Sequence, residues 1–250
     1  MKLIRLGQSL CEGSSFPPPP PTANALLFLK HNTNMYGDLE DDCVTPANYS
    51  SNDSTFVKAG PISSWEDYNG VGNYAEQVDC ADRPHYVIGR ARFSPGTSNF
   101  FDLDIPIVLT GEFTMYIKAS LSGTTNKAFL GGDTSNFWRI SNNKEFRVRI
   151  GGTTNNLFTE VTDTIGTSLE VYVFCLQRDT SGFLSLFVEG GGYSDKSWGS
   201  TTNVDTDTMT ISNIAATSDD TQTLEGDLYD VLIYDTKHGT IQRNIIYDYL

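Results

Sequence analysis

Strict alternation between apolar and polar residues is the feature that most constrains how this chain folds. In Glu145–Ile150 every second residue is apolar, and the residues between them are Arg147 and Arg149. Successive side chains of a β-strand point to opposite faces, so a segment of this kind buries one face and exposes the other. The pattern predicts a strand that covers a core, with both arginines facing solvent.

Further short apolar or alternating segments follow along the chain and are separated by turn residues. Asp179–Gly182 and Gly190–Gly192 are two such turns. Only the last eleven residues show helical spacing, with Ile241, Ile245 and Tyr249 on one face. The arrangement predicts one all-β domain, a two-sheet antiparallel sandwich with a short C-terminal helix. The predicted strands are Asn24–His31, Phe113–Ala119, Glu145–Ile150, Leu169–Leu176, Phe183–Val188, Met209–Ile214 and Leu228–Tyr234.

The N-terminus is predicted to be an extended, proline-rich arm. Five consecutive prolines form a stiff polyproline II rod that lacks amide donors. The rod separates an arm of residues 1–22 from a predicted sandwich domain of residues 23–250. It serves either as a spacer or as an anchor that docks on another subunit. In the second case the partner-binding residues are Phe16, Pro17, Pro18, Pro19, Pro20 and Pro21. Residues 32–60 are polar and are predicted to form a long loop.

Charge and targeting signals exclude several classes of partner. A formal net charge of −14 over 250 residues disfavours binding to nucleic acid or to anionic membranes. The N-terminal sequence does not resemble a secretory signal, and no stretch has the length of a membrane span, so synthesis in a cytosol is expected. Four cysteines stand at wide, irregular spacing. This argues against a zinc site and, in a cytosol, favours free thiols, with Cys175 in the core.

The segment Trp65–Gln77 nearly matches a calcium-binding EF-hand loop. With Gly70 at the sixth position, Asp67, Asn69 and Glu76 fall where the loop requires oxygen ligands. The first ligand position, however, holds a tryptophan, and the surrounding pattern is β rather than helical. We therefore predict a tight turn at this point and no metal site.

Four segments carry a family resemblance through their order and spacing. They are ALLFLK (25–30), WEDYNGVGNYAEQ (65–77) followed by RPHY (83–86), QRDTSGFLSLFVEGG (177–191) and LEGDLYDVLIYD (224–235). Together they resemble the laminin-G-like branch of the concanavalin-A-like jelly rolls. The resemblance covers residues 23–250 and implies a fold rather than an activity, because this fold hosts binding modules, hydrolases and structural proteins. Stand-alone domains of this type resemble proteins of bacteriophage particles.

The first function that the resemblance implies is a structural role in a phage particle. The chain would be a non-enzymatic capsid decoration protein on the virion surface, made in the host cytoplasm and anchored through its arm. Its partners would be the major capsid protein or a tail component. The chain itself would form a homo-oligomer or bind to an oligomeric shell. On this hypothesis the chain has no catalytic residue, no metal and no cofactor.

The alternative function is a carbohydrate-binding adhesin module, on a tail fibre or another protein that binds cell surfaces. Exposed aromatic rings beside polar loops suit sugar binding, and the predicted loop Gly190–Asn203 contains Tyr193 and Trp198. The same two rings could instead pack on their own sheet or contact a neighbouring subunit. Trp138 alternates within a strand-like segment and is predicted to lie in the core.

A third hypothesis is a retaining glucanase. Glu225, Asp227 and Asp230 resemble the carboxylate strand of glucanases built on a related sandwich. Retaining hydrolysis needs two carboxyl groups about 5–5.5 Å apart. Glu225 and Asp227 would share one face of a strand, whereas Asp230 would lie on the other face unless a bulge shifts it. We therefore predict that the chain is not an enzyme.

Overall fold

The fold is described by a computed structural model. It describes residues 25–31, 35–38, 46–48, 60–70, 72–87, 89–94, 99–122, 127–141, 145–158, 170–200, 203–204, 207–217 and 222–250. The predicted arm and its proline rod, from Phe16 to Pro21, lie outside the described residues.

Nearly all regular structure among the described residues is β. The single α-helix, α1, spans Thr240–Tyr249, and no helix among the described residues is long and apolar enough to cross a membrane. The strands are β1 (Ala25–Leu29), β2 (Met35–Asp38), β3 (Pro46–Asn48), β4 (Ile62–Glu66), β5 (Tyr74–Glu76), β6 (His85–Tyr86), β7 (Ala91–Phe93), β8 (Phe101–Leu109), β9 (Phe113–Leu121), β10 (Lys127–Asp133), β11 (Asn136–Ile140), β12 (Phe146–Ile150), β13 (Thr153–Phe158), β14 (Val171–Arg178), β15 (Leu184–Gly190), β16 (Tyr193–Gly199), β17 (Met209–Ile214) and β18 (Gly226–Tyr234).

The strands form two antiparallel sheets, which confirms the predicted two-sheet sandwich. Sheet A has the order β16-β15-β14-β9-β18-β7-β6, and β1 also pairs with β18. Sheet B has the order β13-β12-β11-β10-β17-β8-β5-β4-β2-β3. The apolar residues that alternate along both sheets meet between them and form one continuous core. Phe146, Val148 and Ile150 face this core as predicted.

The outer face of sheet A is covered by the C-terminal helix. Tyr116 and Leu232 project from neighbouring strands β9 and β18 and form a second apolar cluster with Ile246 of α1. Arg243 of the same helix lies 3.7 Å from the centre of the Phe187 ring. A ten-residue helix is marginal alone. Docking on the sheet therefore explains why the predicted C-terminal helix forms.

A bulge in β18 decides where its acidic residues point. Asp227 pairs with Ser120 and Asp230 pairs with Lys118, although one residue too many separates them for regular pairing. Residues that pair directly share a face, and Ser120 and Lys118 lie two positions apart on β9. Asp227 and Asp230 consequently both lie on the outer face of sheet A, because the bulge shifts the alternation at Tyr229.

His238 is buried beneath the helix, where its ring contacts two tyrosines. Its Nδ1 lies 2.9 Å from the Tyr116 hydroxyl, and its ring centre lies 4.4 Å from that of Tyr234. Burial, followed by the positive charge of Arg243, lowers the pKa of His238 to about 4. The unfolded chain therefore binds a proton near pH 6.5 that the folded chain binds only near pH 4.

We expect this difference to make the protein less stable in mild acid. The contribution of His238 is complete above about pH 6.5 and is lost progressively as the pH falls toward 4. In His238→Gln the free energy of unfolding should change less steeply with pH between about 4 and 6.5, because the variant lacks the one proton that His238 takes up on unfolding. Urea denaturation at stepped pH measures both slopes, and coincident slopes for parent and variant would contradict the expectation.

The structure corrects three expectations. Residues 32–60 are not one loop, because β2 and β3 lie within this segment and form one edge of sheet B. These edge strands are short and polar, and β2 is recognisable only through its pairing with β4.

Tyr193 and Trp198 lie on strand β16 rather than in a loop. Cys80 is disulfide-bonded, so the prediction that the cysteines are free thiols is wrong for this residue. Its partner lies outside the described residues. Cys175 is free and buried as predicted.

Candidate functional site

The predicted aromatic contact residues lie on β16, which is an edge strand of sheet A. Tyr193 and Trp198 are both half-buried and pack against the core between the sheets. Their rings meet edge to face at 6.3 Å, and Lys196 Nζ lies 5.6 Å from one ring centre and 5.4 Å from the other. The interpretation that these rings pack on their own sheet is therefore confirmed, and contact with a glycan or a subunit stays a prediction.

The calcium-like segment folds as a turn whose acidic residue has a structural role. Gly70 adopts φ +69°, and its amide donates to the Asp67 carbonyl at 3.2 Å. The Asp67 carboxylate accepts a hydrogen bond from the buried Phe28 amide at 2.6 Å. Trp65 is fully buried and donates from Nε1 to the Lys30 carbonyl. Among the described residues, no group of three or more His, Cys, Asp or Glu side chains could hold a metal ion.

Two of the three carboxylates of the glucanase hypothesis contact basic side chains, and the third, Glu225, is buried. Asp227 forms ion pairs with Arg90 (Nε–Oδ2, 2.8 Å) and Arg92 (Nε–Oδ1, 2.7 Å). Asp230 is fully buried and accepts a hydrogen bond from the His31 amide at 2.9 Å, with the His31 ring at the same distance. The bulge brings both aspartates to one face, where Asp227 contacts two guanidinium groups and Asp230 contacts the His31 amide and ring. Both carboxylates are buried in these contacts rather than open to a cleft.

A pocket of about 260 Å³ lies on the outer face of sheet B, where β11, β12 and β13 run side by side. Arg139 stands directly opposite Arg147, and Phe137 stands opposite Arg149. Arg149 in turn pairs with Thr154 on β13. Residues that pair directly share a face, so these five side chains point outward together. We call this site the arginine pocket.

Two of the three guanidinium groups have partners that hold them in place. Arg149 donates from Nε to the Gly152 carbonyl at 3.0 Å and from Nη1 to the Thr134 carbonyl at 2.7 Å. Arg147 Nη2 lies 3.4 Å from the Glu145 carboxylate. Carbonyl oxygens orient a guanidinium without neutralising it, so the positive charge of Arg149 persists in the pocket.

Arg139 is the least satisfied of the three arginines. It lies over the Phe137 ring, with Cζ 4.6 Å from the ring centre, and its buried Nε has no hydrogen-bond partner among the described residues. Burial lowers its pKa, and the positive charges of Arg147 and Arg149 lower it further. An arginine nevertheless stays protonated in a protein. The direction of the shift shows that positive charge is crowded at this point of the sheet.

The remaining wall of the pocket comes from the connection that follows β17. Thr217 and Gln222 line the pocket. Gln222 adopts φ +54°, a left-handed backbone conformation that non-glycine residues seldom take and that is enriched at functional sites. Gly131 allows the connection to approach the sheet, since a Cβ there would lie 2.2 Å from the Thr217 carbonyl oxygen.

Sequence reasoning predicted the direction of two pocket residues but missed the site. Arg147 and Arg149 face outward as expected. The missing partner was Arg139: its segment was recognised as strand-like, but the pairing of that strand with β12 was unknown. Three arginines between positions 139 and 149 of a chain with net charge −14 were the available signal.

Comparison with known proteins finds this fold in solved structures only. No protein-family model and no curated protein sequence matches the chain. A mutant of Trypanosoma rangeli sialidase displaying trans-sialidase activity is 13% identical, with a TM-score of 0.53 over 90% of this chain and 32% of its own. The same sialidase in complex with 2,3-difluorosialic acid is 14% identical, with a TM-score of 0.52 over 91% of this chain and 33% of its own. The receptor-binding domain of botulinum neurotoxin D is 14% identical, with a TM-score of 0.48 over 90% of this chain and 52% of its own.

At these identities the likeness shows a shared fold, and the chain spans about a third of the sialidase. The prediction that the chain is not an enzyme is contradicted, because solved structures that share this fold include sialidases, which are enzymes. The resemblance to a β-sandwich is confirmed. The structures named above give no support to its bacteriophage part.

Proposed function

We propose that this chain is a carbohydrate-binding β-sandwich module and that the arginine pocket is its binding site. The single observation that carries the proposal is the mixed hydrogen-bonding lining of that pocket. Sugar hydroxyls act as donors and as acceptors. The guanidinium groups supply fixed donors, whereas Thr134, Thr154 and Gln222 supply side chains that can accept as well as donate.

The size and position of the pocket support a small, polar ligand. Its volume of about 260 Å³ falls just below the range of about 300–1,000 Å³ that holds drug-sized molecules. It therefore suits one or two sugar rings. The three arginines of the pocket lie on the paired strands β11 and β12, so they are positioned before a ligand arrives.

The neighbouring structures agree with this class of ligand. One of the sialidases that share the fold is described in complex with a sialic acid derivative. That complex belongs to a chain three times longer, and it supports a sugar ligand here only through the shared fold. The capsid decoration hypothesis has no comparable support, since its arm from Phe16 to Pro21 lies outside the described residues.

The test is a glycan array followed by calorimetry on the sugars that bind. Thr154→Val removes one hydroxyl while keeping the branched shape that suits a strand. Gln222→Gly removes the amide and tolerates the left-handed backbone. We expect each change to weaken binding about tenfold, the equivalent of one hydrogen bond of roughly 1.4 kcal/mol.

Trp198→Ala is the matched control, because it alters the other candidate surface and leaves the pocket intact. Its binding should equal that of the parent. The pocket would be the wrong site if Trp198→Ala abolished binding while Thr154→Val did not. The absence of any bound glycan at millimolar concentration would overturn the proposed function itself.

A further inference from the structure

We propose that the cross-strand pair Arg139–Arg147 is an oxyanion subsite, so that the pocket selects saccharides that carry a carboxylate or a sulfate group. The inference rests on the proposed function, since it names the class of sugar that the same pocket would take. Three observations support it: the register of β11 and β12, the unsatisfied donor of Arg139, and the excess of positive charge around the pocket.

The first argument is the register of the two strands. Arg139 and Arg147 are direct partners on β11 and β12, and both face outward. Like charges directly opposite each other destabilise a sheet. Arg149 lies two positions further along β12 on the same face and adds a third positive charge. An anion placed between the guanidinium groups would convert this repulsion into attraction.

The second argument is the hydrogen-bonding inventory of Arg139. A guanidinium offers five N–H donors in a planar fork that matches two oxygens of a carboxylate or a sulfate. The buried Nε of Arg139 is unsatisfied among the described residues, while Phe137 supports one face of the group. The group is held by stacking, and a ligand oxygen that reached Nε would satisfy this donor.

The third argument is the imbalance of charge around the pocket. The described lining of the pocket holds three arginines and no acidic side chain, and Glu145 lies beside Arg147 at 3.4 Å. Arg149 is held by two carbonyl groups, which carry no net charge. This local excess of positive charge occurs in a chain whose net charge is −14. An exposed basic pocket on an acidic protein focuses anions toward one point of the surface.

Calorimetry with three probes tests the inference: glucuronate, glucose and inorganic sulfate. We expect the parent to bind glucuronate at least about tenfold more tightly than glucose. This preference should shrink as the salt concentration rises from about 50 to about 500 mM, because salt screens the attraction between the arginines and the carboxylate. Arg139→Gln should abolish the preference, and Arg139→Lys should retain only part of it because lysine lacks the planar fork.

Lys237→Gln is the control for net charge, since it removes one positive charge from an exposed site in the connection between β18 and α1. It should keep the preference of the parent. Thermal denaturation supplies a second readout. Without ligand, Arg139→Gln should melt at or above the temperature of the parent because repulsion is relieved, whereas glucuronate should raise the melting temperature of the parent alone.

The outcomes separate the two proposals. Equal binding of glucose and glucuronate would overturn the oxyanion subsite and leave the proposed function standing. Sulfate binding that is lost in Arg139→Gln, without binding of any sugar, would keep the subsite and overturn the proposed function. The sequence also places Asp219 and Asp220 between Thr217 and Gln222. If only an Asp219→Asn, Asp220→Asn double variant bound anions, the arginines would be neutralised by the chain itself and the inference would be wrong.

Discussion

Replacing Arg178 with methionine is expected to lower the free energy of unfolding by about 3–5 kcal/mol. Arg178 ends β14 and is 1% exposed. It donates to the carbonyls of Leu109 and Gly111 at 3.1 and 2.5 Å, and to those of Val204 and Asp207 at 3.3 and 2.6 Å. One side chain thereby joins the turn before β9 to the segment before β17.

The magnitude follows from opposing contributions. Each buried acceptor left without a donor costs about 1–3 kcal/mol. The bonds to Leu109 and Val204 are buried, and those to Gly111 and Asp207 are part-buried. Removing a buried charge recovers its desolvation penalty, so the net loss is smaller than the sum. Methionine roughly preserves the packing over Phe113, whose ring centre lies 5.0 Å from the guanidinium carbon. The lost hydrogen bonds are therefore what the substitution reports.

Guanidinium chloride denaturation of the parent and variant measures the effect. Arg178→Lys should lose less than Arg178→Met, since an ammonium keeps the charge but reaches fewer of the carbonyls. Lys237→Met is exposed and should change stability by less than about 0.5 kcal/mol. A loss below about 1 kcal/mol in Arg178→Met, which is the net contribution of one ordinary hydrogen bond, would show that the four carbonyls find other donors.

Replacing Gly226 with alanine is the second large effect we expect, with a loss of about 2–5 kcal/mol. Gly226 opens β18 with φ +138°, a conformation that is strained for any residue with a side chain. A Cβ there would lie 2.1 Å from the Ser120 carbonyl oxygen and 3.0 Å from the Leu121 Cα. Both atoms belong to the backbone of β9, so the paired strands would have to separate.

Two glycines serve as matched controls that separate strain from crowding. Gly72 has φ +92° and open space around it, so Gly72→Ala should show the backbone penalty alone, about 1–2 kcal/mol. Gly111 has neither positive φ nor a close neighbour, and Gly111→Ala should be nearly neutral. If Gly226→Ala were no worse than Gly72→Ala, the close approach to Ser120 would not limit the fold.

The residues that sequence analysis placed correctly are those with a strong local pattern. Glu145–Ile150 alternates cleanly, so its inward and outward faces were both predicted. Leu169–Leu176 is apolar on both faces, and the corresponding strand β14 is indeed central in sheet A. Trp138 was assigned to the core and is fully buried. Strands such as β8 and β10 were missed because polar residues, a proline and paired glycines interrupt their alternation of apolar and polar residues.

The candidate site was not predictable to the same degree, because it depends on register. Arg139 and Arg147 are eight positions apart in sequence, and only the pairing of β11 with β12 places them opposite each other. The role of Asp230 depends likewise on a bulge, which turns it toward the outer face and His31. A one-residue shift in either place would move these side chains to the opposite face.

The amino-acid sequence by itself therefore determined the fold class, the outward direction of Arg147 and Arg149, and the short terminal helix. These follow from local periodicity, because the alternation of a strand and the spacing of a helix are properties of neighbouring residues. Only the tertiary structure decided which strands lie side by side, that three arginines share one pocket, and that Asp227 and Asp230 of β18 contact arginine and histidine side chains. Those features arise from contacts between residues far apart in the chain, whose register is set by the packing of the whole sandwich.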